Sequence, residues 1–274
     1  MSTFEKVIKY AATAFAAILA VGIVVGILQI ALSIIVGIAG GNTKVTDKSY
    51  TFEADEVKSI YIDNSISNVT VQYYDGDTIS IEAENIPEEF DCKVNKNGTL
   101  NIKNESPKNA LFSFGSHKGK ISVLVPEELT LKEFELNGGV GDITVNDLTL
   151  DIFTINGGVG DIDILNVTAN GFSLDAGVGD FYMENCSAND TEIDGGVGDI
   201  EIQNCALKDV EIDNGIGDID LVIDGDIDDY TFDMDGGIGS IRINGEKASY
   251  YKNNNGKYEI SCDNGIGDID ITIE

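Results

Sequence analysis

The chain has 274 residues, of which 48 are Asp or Glu and 17 are Lys or Arg, so its formal net charge is −31. Nucleic-acid binding needs a basic face that displaces counterions from phosphate, and this charge balance excludes it. The same balance disfavours direct adsorption to anionic lipid. The four cysteines show none of the CxxC spacing of a metal or redox site.

The N-terminal part of the sequence predicts a membrane anchor. No charged residue occurs in 10–41. This segment is longer than the roughly 20 apolar residues that a helix needs to cross a bilayer, and much longer than the apolar core of a signal peptide. We therefore expect a short cytoplasmic tail at 1–9 and a single-pass transmembrane helix at 10–41 in the cell membrane, with an extracellular ectodomain after it.

Charge alone does not fix this orientation, which rests on the usual arrangement of an uncleaved signal-anchor. Two lysines before the apolar segment are matched by two after it, namely Lys6, Lys9, Lys44 and Lys48. Within the segment, Gly22 and Gly26 form a GxxxG pair, which is a close-packing signal for two helices. This pair is one candidate contact for homo-oligomers.

Residues 42–128 repeat poorly and contain all three prolines, which are Pro87, Pro107 and Pro126. Strand patterns nevertheless occur in them, for example from Ile121 to Val125. We interpret this part as the N-terminal coils and cap of the β-solenoid that follows. A separate small β domain is the alternative.

A repeated unit organises residues 129–274. It reads Asp or Asn, a small residue or Asn, Gly, Val or Ile, Gly, Asp, and Ile or Phe, and a degenerate copy lies at 63–69. The starting residues are Asn137, Asn156, Asp175, Asp194, Asp213, Asp235 and Asp263. The first four steps between them are equal, each leading 19 positions further along the chain, and the steps to Asp235 and Asp263 are longer.

Apolar positions are also in register between the 19-residue units. They fall mostly in i, i+2 pairs, which puts both members of a pair on one face of a short strand. Three pairs per unit predict three short strands joined by tight turns, and one unit is long enough for one coil of a parallel β-helix. The predicted fold class is all-β, a parallel β-helix or solenoid with coils of about 19 residues stacked about 4.8 Å apart. Val159 and Val178 should then lie in adjacent coils.

The glycines of the repeat mark a predicted corner of the coil. Gly139 and Gly141, with their equivalents, are expected where φ is positive and where a stacked Cβ would crowd the next coil. No proline follows Pro126, as expected for strands that donate hydrogen bonds to a ladder.

The strand from Ile121 to Pro126 leads into LTLKEFELNGGVGDITV and then into recurring short units. This arrangement resembles the bacterial β-strand-repeat family labelled "putative adhesin", and the similarity covers roughly residues 59–274. Many members of that family also look membrane-anchored. The resemblance implies a role at the cell surface or envelope and no catalytic residues.

Two columns of mostly acidic residues are predicted beside the glycine corner. Carboxylates about 4.8 Å apart repel by roughly 1 kcal/mol in water, and Ca²⁺ bound between coils would remove this cost. The alternative is a solvated acidic edge without cations, because the Asp of calcium β-roll repeats stands one position later than here. No other cofactor is predicted. In one column Ser240 is expected to interrupt the acids. The candidate calcium ligands are Asp142, Asp161, Asp180, Asp199, Asp218 and Asp268. The starting residues of the repeats form the second column.

Two cysteines and the only histidine remain. Cys186 and Cys205 are predicted to share an inward column of adjacent coils, where they are either a disulfide or two buried thiols. His117 has no recognisable Ser, Cys or acidic triad around it, so we interpret it as a surface residue.

The longest spacing between repeats contains a predicted loop at 244–257. Insertions in solenoids emerge as loops and often bind ligands. Tyrosine with lysine can contact a glycan or an anionic polymer, although an ordinary tolerated loop is the alternative. The candidate ligand-binding residues are Lys247, Tyr250, Tyr251, Lys252 and Lys257.

Together these features favour a non-enzymatic, membrane-anchored surface protein that acts as an adhesin-like binding or scaffolding module of the cell envelope. Its predicted partners are the membrane, a glycan or protein ligand, and a second copy bound through the anchor or the end of the solenoid. A solenoid polysaccharide lyase would need Lys or Arg beside a calcium site, and Arg242 is the only arginine. The alternative function is a regulatory envelope-stress component that acts through a membrane-protein partner.

Overall fold

A computed structural model describes residues 45–104, 119–248 and 256–274. The predicted tail at 1–9 and anchor at 10–41 lie outside these ranges, so the anchor stays a prediction. Within the described ranges, no helix has the length and apolar character needed to cross a bilayer.

The repeat folds as stacked coils, as the sequence predicts. In one coil the strand β10 (Thr149–Val159) is followed by β11 (Ile162–Leu165), and in the next coil β12 (Thr168–Val178) is followed by β13 (Phe181–Glu184). β10 pairs in parallel with β12, and β11 pairs in parallel with β13, always with a residue 19 positions further on. Val159 pairs with Val178. The predicted length of one coil is therefore confirmed.

Each coil contains two strands rather than the three expected. The second and third apolar pairs of the repeat lie in one long strand that bends, because two successive residues, Asp151 and Ile152, both point outward. Leu150 before the bend and Phe153 after it are buried. Parallel pairing continues on both sides of the bend, so the backbone needs no separate turn there.

The remaining strands extend this stack in both directions. Along its axis the coils follow one another in a fixed order from the N-terminal end to the C-terminal end. The order is β6 (Thr99–Asn104) with β7 (Lys120–Pro126); β2 (Ser59–Asn64) with β3 (Asn68–Tyr74); β8 (Leu131–Asn137) with β9 (Ile143–Asn146); β10 with β11; β12 with β13; β14 (Ser187–Asp194) with the first part of β15 (Ile200–Ile216); the rest of β15 with β16 (Ile219–Ile223); β20 (Tyr258–Ile266) with β21 (Ile269–Ile273); and β17 (Tyr230–Ile238) with β18 (Ile241–Ile243).

At both ends of the stack the spatial order of the coils departs from the sequence order. The coil of β6 and β7 lies outside that of β2 and β3, although it comes later in the chain. At the other end, the coil of β20 and β21 lies between the coil of β15 and β16 and the coil of β17 and β18, although β20 and β21 come last in the chain. At the C-terminal end the chain thus skips one level, builds the outermost coil, and returns to fill the gap.

Antiparallel strands flank the parallel stack. β1 (Val45–Glu53) pairs with β4 (Thr78–Pro87), which pairs with β7. The short strand β5 (Asp91–Val94) pairs with β6 in the same way. β19 (Glu246–Ala248) pairs with β18 at the C-terminal end. β21 does not form an edge of the stack, because it pairs with β16 on one side and with β18 on the other.

The interior is filled by the apolar columns read from the repeat. Phe134, Phe153 and Phe172 stack in successive coils with ring centroids 5.4 and 5.2 Å apart. Both ring pairs are tilted, and aromatic contacts of this kind add to the free energy gained from burial. The columns remain buried along the described stack.

The two corners of the coil use different residues. At the glycine corner, Gly160 has a φ of +146°, and an added Cβ would lie 2.2 Å from the carbonyl oxygen of Gly141. The φ of Gly158 is not positive, yet its added Cβ would lie 2.1 Å from the carbonyl oxygen of Gly139. Stacking therefore requires glycine at both positions, but only one needs it for φ. The opposite corner holds a left-handed residue, such as Asn166 with a φ of +56°, a conformation that Asn tolerates.

Candidate functional site

The first acidic column is a hydrogen-bonded ladder along the glycine corner. The backbone N–H of each member donates to the side-chain oxygen of the member one coil earlier, over 2.8–3.5 Å. In stacking order the members are Asn68, Asp142, Asp161, Asp180, Asp199, Asp218, Asp268 and Ser240. Each acid thereby supplies an acceptor for a corner N–H. This structural role requires no cation.

Ser240 does not interrupt this column, contrary to the sequence-based expectation. It stands at the outer end, because the coil that contains Asp268 lies inside the coil that contains Ser240. Arg242 lies on the same outer coil, with its Nη1 2.7 Å from Oδ2 of Asp270 and 3.8 Å from Oδ2 of Asp268. The hydrogen bonds from Ser240 hold the pKa of Asp268 below its usual value, and Arg242 acts in the same direction.

The second acidic column changes character along the stack. At its N-terminal end it is an amide ladder, in which Asn156 Nδ2 donates to Asn137 Oδ1 over 2.6 Å and Asn137 Nδ2 donates to the Tyr61 hydroxyl over 3.0 Å. The amides then give way to carboxylates, which carry no donor. The acids pair in the order Asp175, Asp194, Asp213, Asp263 and Asp235.

A groove of about 490 Å³ runs beside the C-terminal part of this second column. Glycines such as Gly215 and Gly265 form its floor, since they carry no side chain next to the acids. Burial, together with Asp213 and Asp235 on the neighbouring coils, raises the pKa of Asp263. The groove therefore concentrates negative charge that the described residues do not neutralise with a basic lining side chain.

A third row of acids lies on the outer face of the sheet formed by the short strands. Asp163, Glu201, Asp220 and Asp270 occupy the outward position of their strands, with Tyr182 among them. Burial raises the pKa of Asp163, with a contribution from Asp161, and burial with the charge of Asp270 raises that of Asp220. No Lys or Arg occurs between Lys132 and Lys208 in the sequence. The middle coils thus present carboxylates without basic residues of their own.

The structure brings the candidate calcium ligands into one column but does not group them as a metal centre. In the described part of the chain, no cluster of three or more His, Cys, Asp or Glu side chains is placed to hold a metal ion. Each carboxylate from Asp142 to Asp268 already accepts one backbone hydrogen bond. At the ends of this set, Oδ2 of Asp142 also accepts from Asn68 Nδ2 over 3.1 Å, and Oδ2 of Asp268 lies 3.8 Å from Arg242 Nη1. Calcium binding between coils therefore stays a prediction.

Only part of the candidate ligand-binding loop can be placed. Lys247 lies in β19, and Lys257 lies with its Nζ 2.6 Å from the Tyr258 hydroxyl and 4.5 Å from the ring centroid. The other candidates, Tyr250, Tyr251 and Lys252, lie outside the described residues, as does His117. Ligand binding by this loop stays a prediction.

A polar ladder on another side of the solenoid was missed by the sequence reasoning. Asn170 Nδ2 donates to Asp151 Oδ1, Asn189 Nδ2 donates to Asn170 Oδ1, and Lys208 Nζ donates to Asn189 Oδ1. The ladder begins with the Asp151 carboxylate, which only accepts, and ends with the Lys208 ammonium, which only donates. Each Asn between them donates to the coil before it and accepts from the coil after it. The sequence does contain a signal for this ladder, because Asp151, Asn170, Asn189 and Lys208 recur at the 19-residue spacing.

The fold and its columns define the class of this protein, which is a parallel β-solenoid with carboxylate-rich faces. The family model described as Toastrack DUF4097 matches residues 57–250. The chain belongs to this family. Its match spans the irregular N-terminal coils and the regular repeats as far as β19, and it ends before β20.

Similar solved structures include proteins from three bacteria. One, described as a putative adhesin from Bacteroides fragilis, is 18% identical over 84% of this chain and 98% of its own, with a TM-score of 0.45. A putative cell adhesion protein from Clostridium sporogenes is 13% identical over 84% and 100%, with a TM-score of 0.41. A putative lipid binding protein from Parabacteroides distasonis is 14% identical over 85% and 98%, with a TM-score of 0.35. No curated protein matches the chain.

Proposed function

We propose that this chain is a non-enzymatic surface module that binds or scaffolds at the cell envelope in the manner of an adhesin. The observation that carries the proposal is the in-register stacking of outward side chains on successive coils. A flat β face repeats the same chemistry about every 4.8 Å, which suits a polymer or a protein surface that also repeats. The proposed anchor at 10–41 would hold this face outside the cell.

Charge narrows the kind of ligand that such a face accepts. The outward row of Asp163, Glu201 and Asp220 lies beside the first acidic column, so a polyanion would be repelled. A protein segment with basic residues, or a neutral glycan that hydrogen-bonds to carboxylates, fits this surface. Electrostatic attraction would raise the rate of association and make it fall with added salt.

Cell adhesion by the full-length protein tests the proposal. Cells that display the chain should adhere to a host-cell or cell-wall surface more than cells without it, and the Asp163→Asn/Glu201→Gln/Asp220→Asn variant should adhere less. A matched control is the Ser122→Ala/Thr70→Ala/Thr144→Ala variant, which alters the same outward row near the N-terminal end without changing charge. Equal adhesion by all displayed variants and by cells without the protein would refute the proposal.

Exchange of the anchor separates this function from the regulatory alternative. A binding module needs only to be displayed, so replacing 10–41 by an unrelated transmembrane helix should leave adhesion unchanged. A regulator that acts through contacts of its own anchor should fail. Loss of function on exchange, with normal surface display, would favour the regulatory alternative.

A further inference from the structure

Two buried thiols occupy equivalent places on adjacent coils. Cys186 and Cys205 each follow a left-handed corner residue, Asn185 with a φ of +53° and Asn204 with a φ of +51°. Their side chains point inward and are 5% and 0% exposed. Both thiols are free. Their neighbours along the column are the apolar Val167 on one side and Ile223 on the other. Each Sγ also lies 3.2 Å from a backbone carbonyl oxygen two residues earlier in the chain.

The two sulfur atoms have the same backbone contacts, displaced by one coil. The N–H of Val167 donates to Sγ of Cys186 over 3.3 Å, and the N–H of Cys186 donates to Sγ of Cys205 over 3.3 Å. Because the environments repeat, the sulfurs are separated by about one coil spacing, roughly 4–5 Å. The parallel ladders on either side hold this separation.

This separation decides which chemistry the pair can support. A disulfide needs its sulfurs about 2.05 Å apart, so both side chains would have to leave the positions in which Sγ of Cys186 and Sγ of Cys205 accept backbone N–H groups. A linear thiolate–metal–thiolate unit spans twice a metal–sulfur bond, which is about 4.6 Å when the roughly 2.3 Å of a zinc–thiolate bond is taken as a guide. The stacked coils therefore fit a bridging atom between the sulfurs better than a direct bond.

We propose that Cys186 and Cys205 form a two-thiolate site for a soft monovalent cation that favours linear coordination, with Cu(I) as the representative ion. Thiolates select soft ions of this kind over calcium or magnesium. Binding forms two metal–sulfur bonds and releases both thiol protons to solvent, and no electron is transferred. The backbone N–H groups that donate to the sulfurs favour the thiolate form. The hydrogen bond with Cys186 and burial raise the pKa of Cys205, so metal binding has to displace its proton.

Competition for Cu(I) tests the site. The reduced full-length protein in detergent is titrated against a Cu(I)-bicinchoninate complex under anaerobic conditions, and one Cu(I) per chain should be withdrawn. Cys186→Val and Cys205→Val are matched variants, because Val167 occupies the same place in the coil below. Each should lower Cu(I) affinity by more than the roughly 10- to 100-fold that loss of an outer-shell partner costs.

The other two cysteines provide the control. Cys92 pairs with Ile102, and Cys262 lies between Ile212 and Met234, so neither pairs with a second cysteine. The Cys92→Val/Cys262→Val variant should therefore bind one Cu(I) as the wild type does. Loss of binding in this variant, or unchanged binding in Cys186→Val/Cys205→Val, would overturn the proposal.

X-ray absorption of the Cu(I)-loaded wild type keeps the test independent of any folding defect in the variants. Two sulfur scatterers without nitrogen or oxygen ligands are expected, and a site with three or more ligands would contradict the linear geometry. Mild metal-free oxidation of the folded protein should leave both thiols free by mass spectrometry. A disulfide between Cys186 and Cys205 under those conditions would refute the spacing argument.

Discussion

Asp218 and Asp268 are 50 residues apart in the sequence, yet the backbone N–H of Asp268 donates to the Asp218 carboxylate over 2.8 Å. The coil that carries Asp268 is therefore inserted beneath one that the chain has already built. The outermost coil follows, with Ser240 donating to Asp268 over 2.8 Å. The C-terminal residues close the interior of the stack, and the last coil in space is the penultimate one in sequence.

This order predicts that the C-terminal strand stabilises the fold as a core strand does. Ile271 is 1% exposed and lies between Leu221 and Ile243. Ile271→Ala should lower the free energy of unfolding by about 2–5 kcal/mol, because it leaves a cavity in a packed interior. Urea denaturation of the full-length protein measures this change.

Thr272→Ala is the matched control, because Thr272 is exposed on the same strand. It should change stability by less than about 0.5 kcal/mol.

Deleting residues 269–274 should also separate β16 from β18 and make residues 230–248 sensitive to limited proteolysis. A truncated chain as protease-resistant as the wild type would contradict the inserted position of β21.

The coil itself could be predicted from the sequence, but the order of coils could not. Glycine and apolar periodicity specify the shape of one coil, and every coil presents similar edges to its neighbours. The longer steps to the last two copies of the repeat therefore suggested that the coils stack in sequence order, with extra residues inserted as loops between them. A usable signal existed, since DNGIGDID occurs at 213–220 and again at 263–270. These identical segments stack directly, and Asn264 Nδ2 donates to the oxygen of Gly217 over 2.9 Å.

The acidic columns were predicted as rows but not as hydrogen-bonded ladders. Sequence spacing places Asp199 one coil from Asp180, yet it contains no information about which way a corner N–H points. The structure supplies that direction, because the positive φ of the preceding glycine turns the N–H of Asp199 toward Asp180 Oδ1, 2.9 Å away. The calcium hypothesis rested on repulsion alone and did not include this acceptor role.

The glycine corner should tolerate no side chain. Gly198 has a φ of +153°, and an added Cβ would lie 1.9 Å from the oxygen of Gly179. Gly198→Ala should therefore cost at least about 3 kcal/mol, since backbone strain and a steric clash between coils add together. The melting temperature and urea midpoint of the variant measure the loss.

A strand glycine on the same solenoid gives the opposite expectation. Nothing lies within 4 Å of a Cβ added to Gly171. Gly171→Ala should leave stability unchanged or raise it by about 0.4–1 kcal/mol through a lower entropy of the unfolded chain. Equal losses in Gly198→Ala and Gly171→Ala would show that close stacking at the corner is not the cause.

The ladder of the first acidic column predicts a difference between two substitutions of one residue. The Asp199 carboxylate accepts the N–H of Asp218 over 2.8 Å. Asp199→Ala removes the acceptor and should destabilise the fold by about 1 kcal/mol. Asp199→Asn keeps an acceptor oxygen and removes a charge from the column, so it should be neutral or stabilising. If both variants lost the same stability, the hydrogen bond would not be the reason for the acid.

Acid should stabilise the fold through the crowded carboxylates. The pKa values of Asp163, Asp220 and Asp263 are raised by burial and by neighbouring acids. A raised pKa means that the folded chain binds these protons more tightly than the unfolded chain. Their contribution to stability is therefore most favourable below the ordinary Asp pKa of about 3.9, and it falls as the pH rises through the folded-state values.

The variant Asp163→Asn/Asp220→Asn/Asp263→Asn isolates this effect from other titrating groups. Its melting temperature should exceed that of the wild type at pH 7, and the difference should shrink as the pH falls toward 4. Thermal unfolding followed by circular dichroism across this range measures it. A difference that stays constant with pH would mean that these three groups titrate alike in the folded and unfolded chains.

The response of the melting temperature to calcium is the most discriminating test of whether the first acidic column binds cations. Each carboxylate from Asp142 to Asp268 uses one oxygen for the ladder, so a cation would be held by the remaining oxygens of neighbouring coils. Bound Ca²⁺ would relieve the repulsion between them and raise the melting temperature more than NaCl of equal ionic strength does. The variant Asp161→Asn/Asp180→Asn keeps side-chain acceptors for the ladder but removes two central charges, so its calcium response should be smaller. Equal responses to calcium and matched NaCl in the wild type would assign the column to the ladder alone.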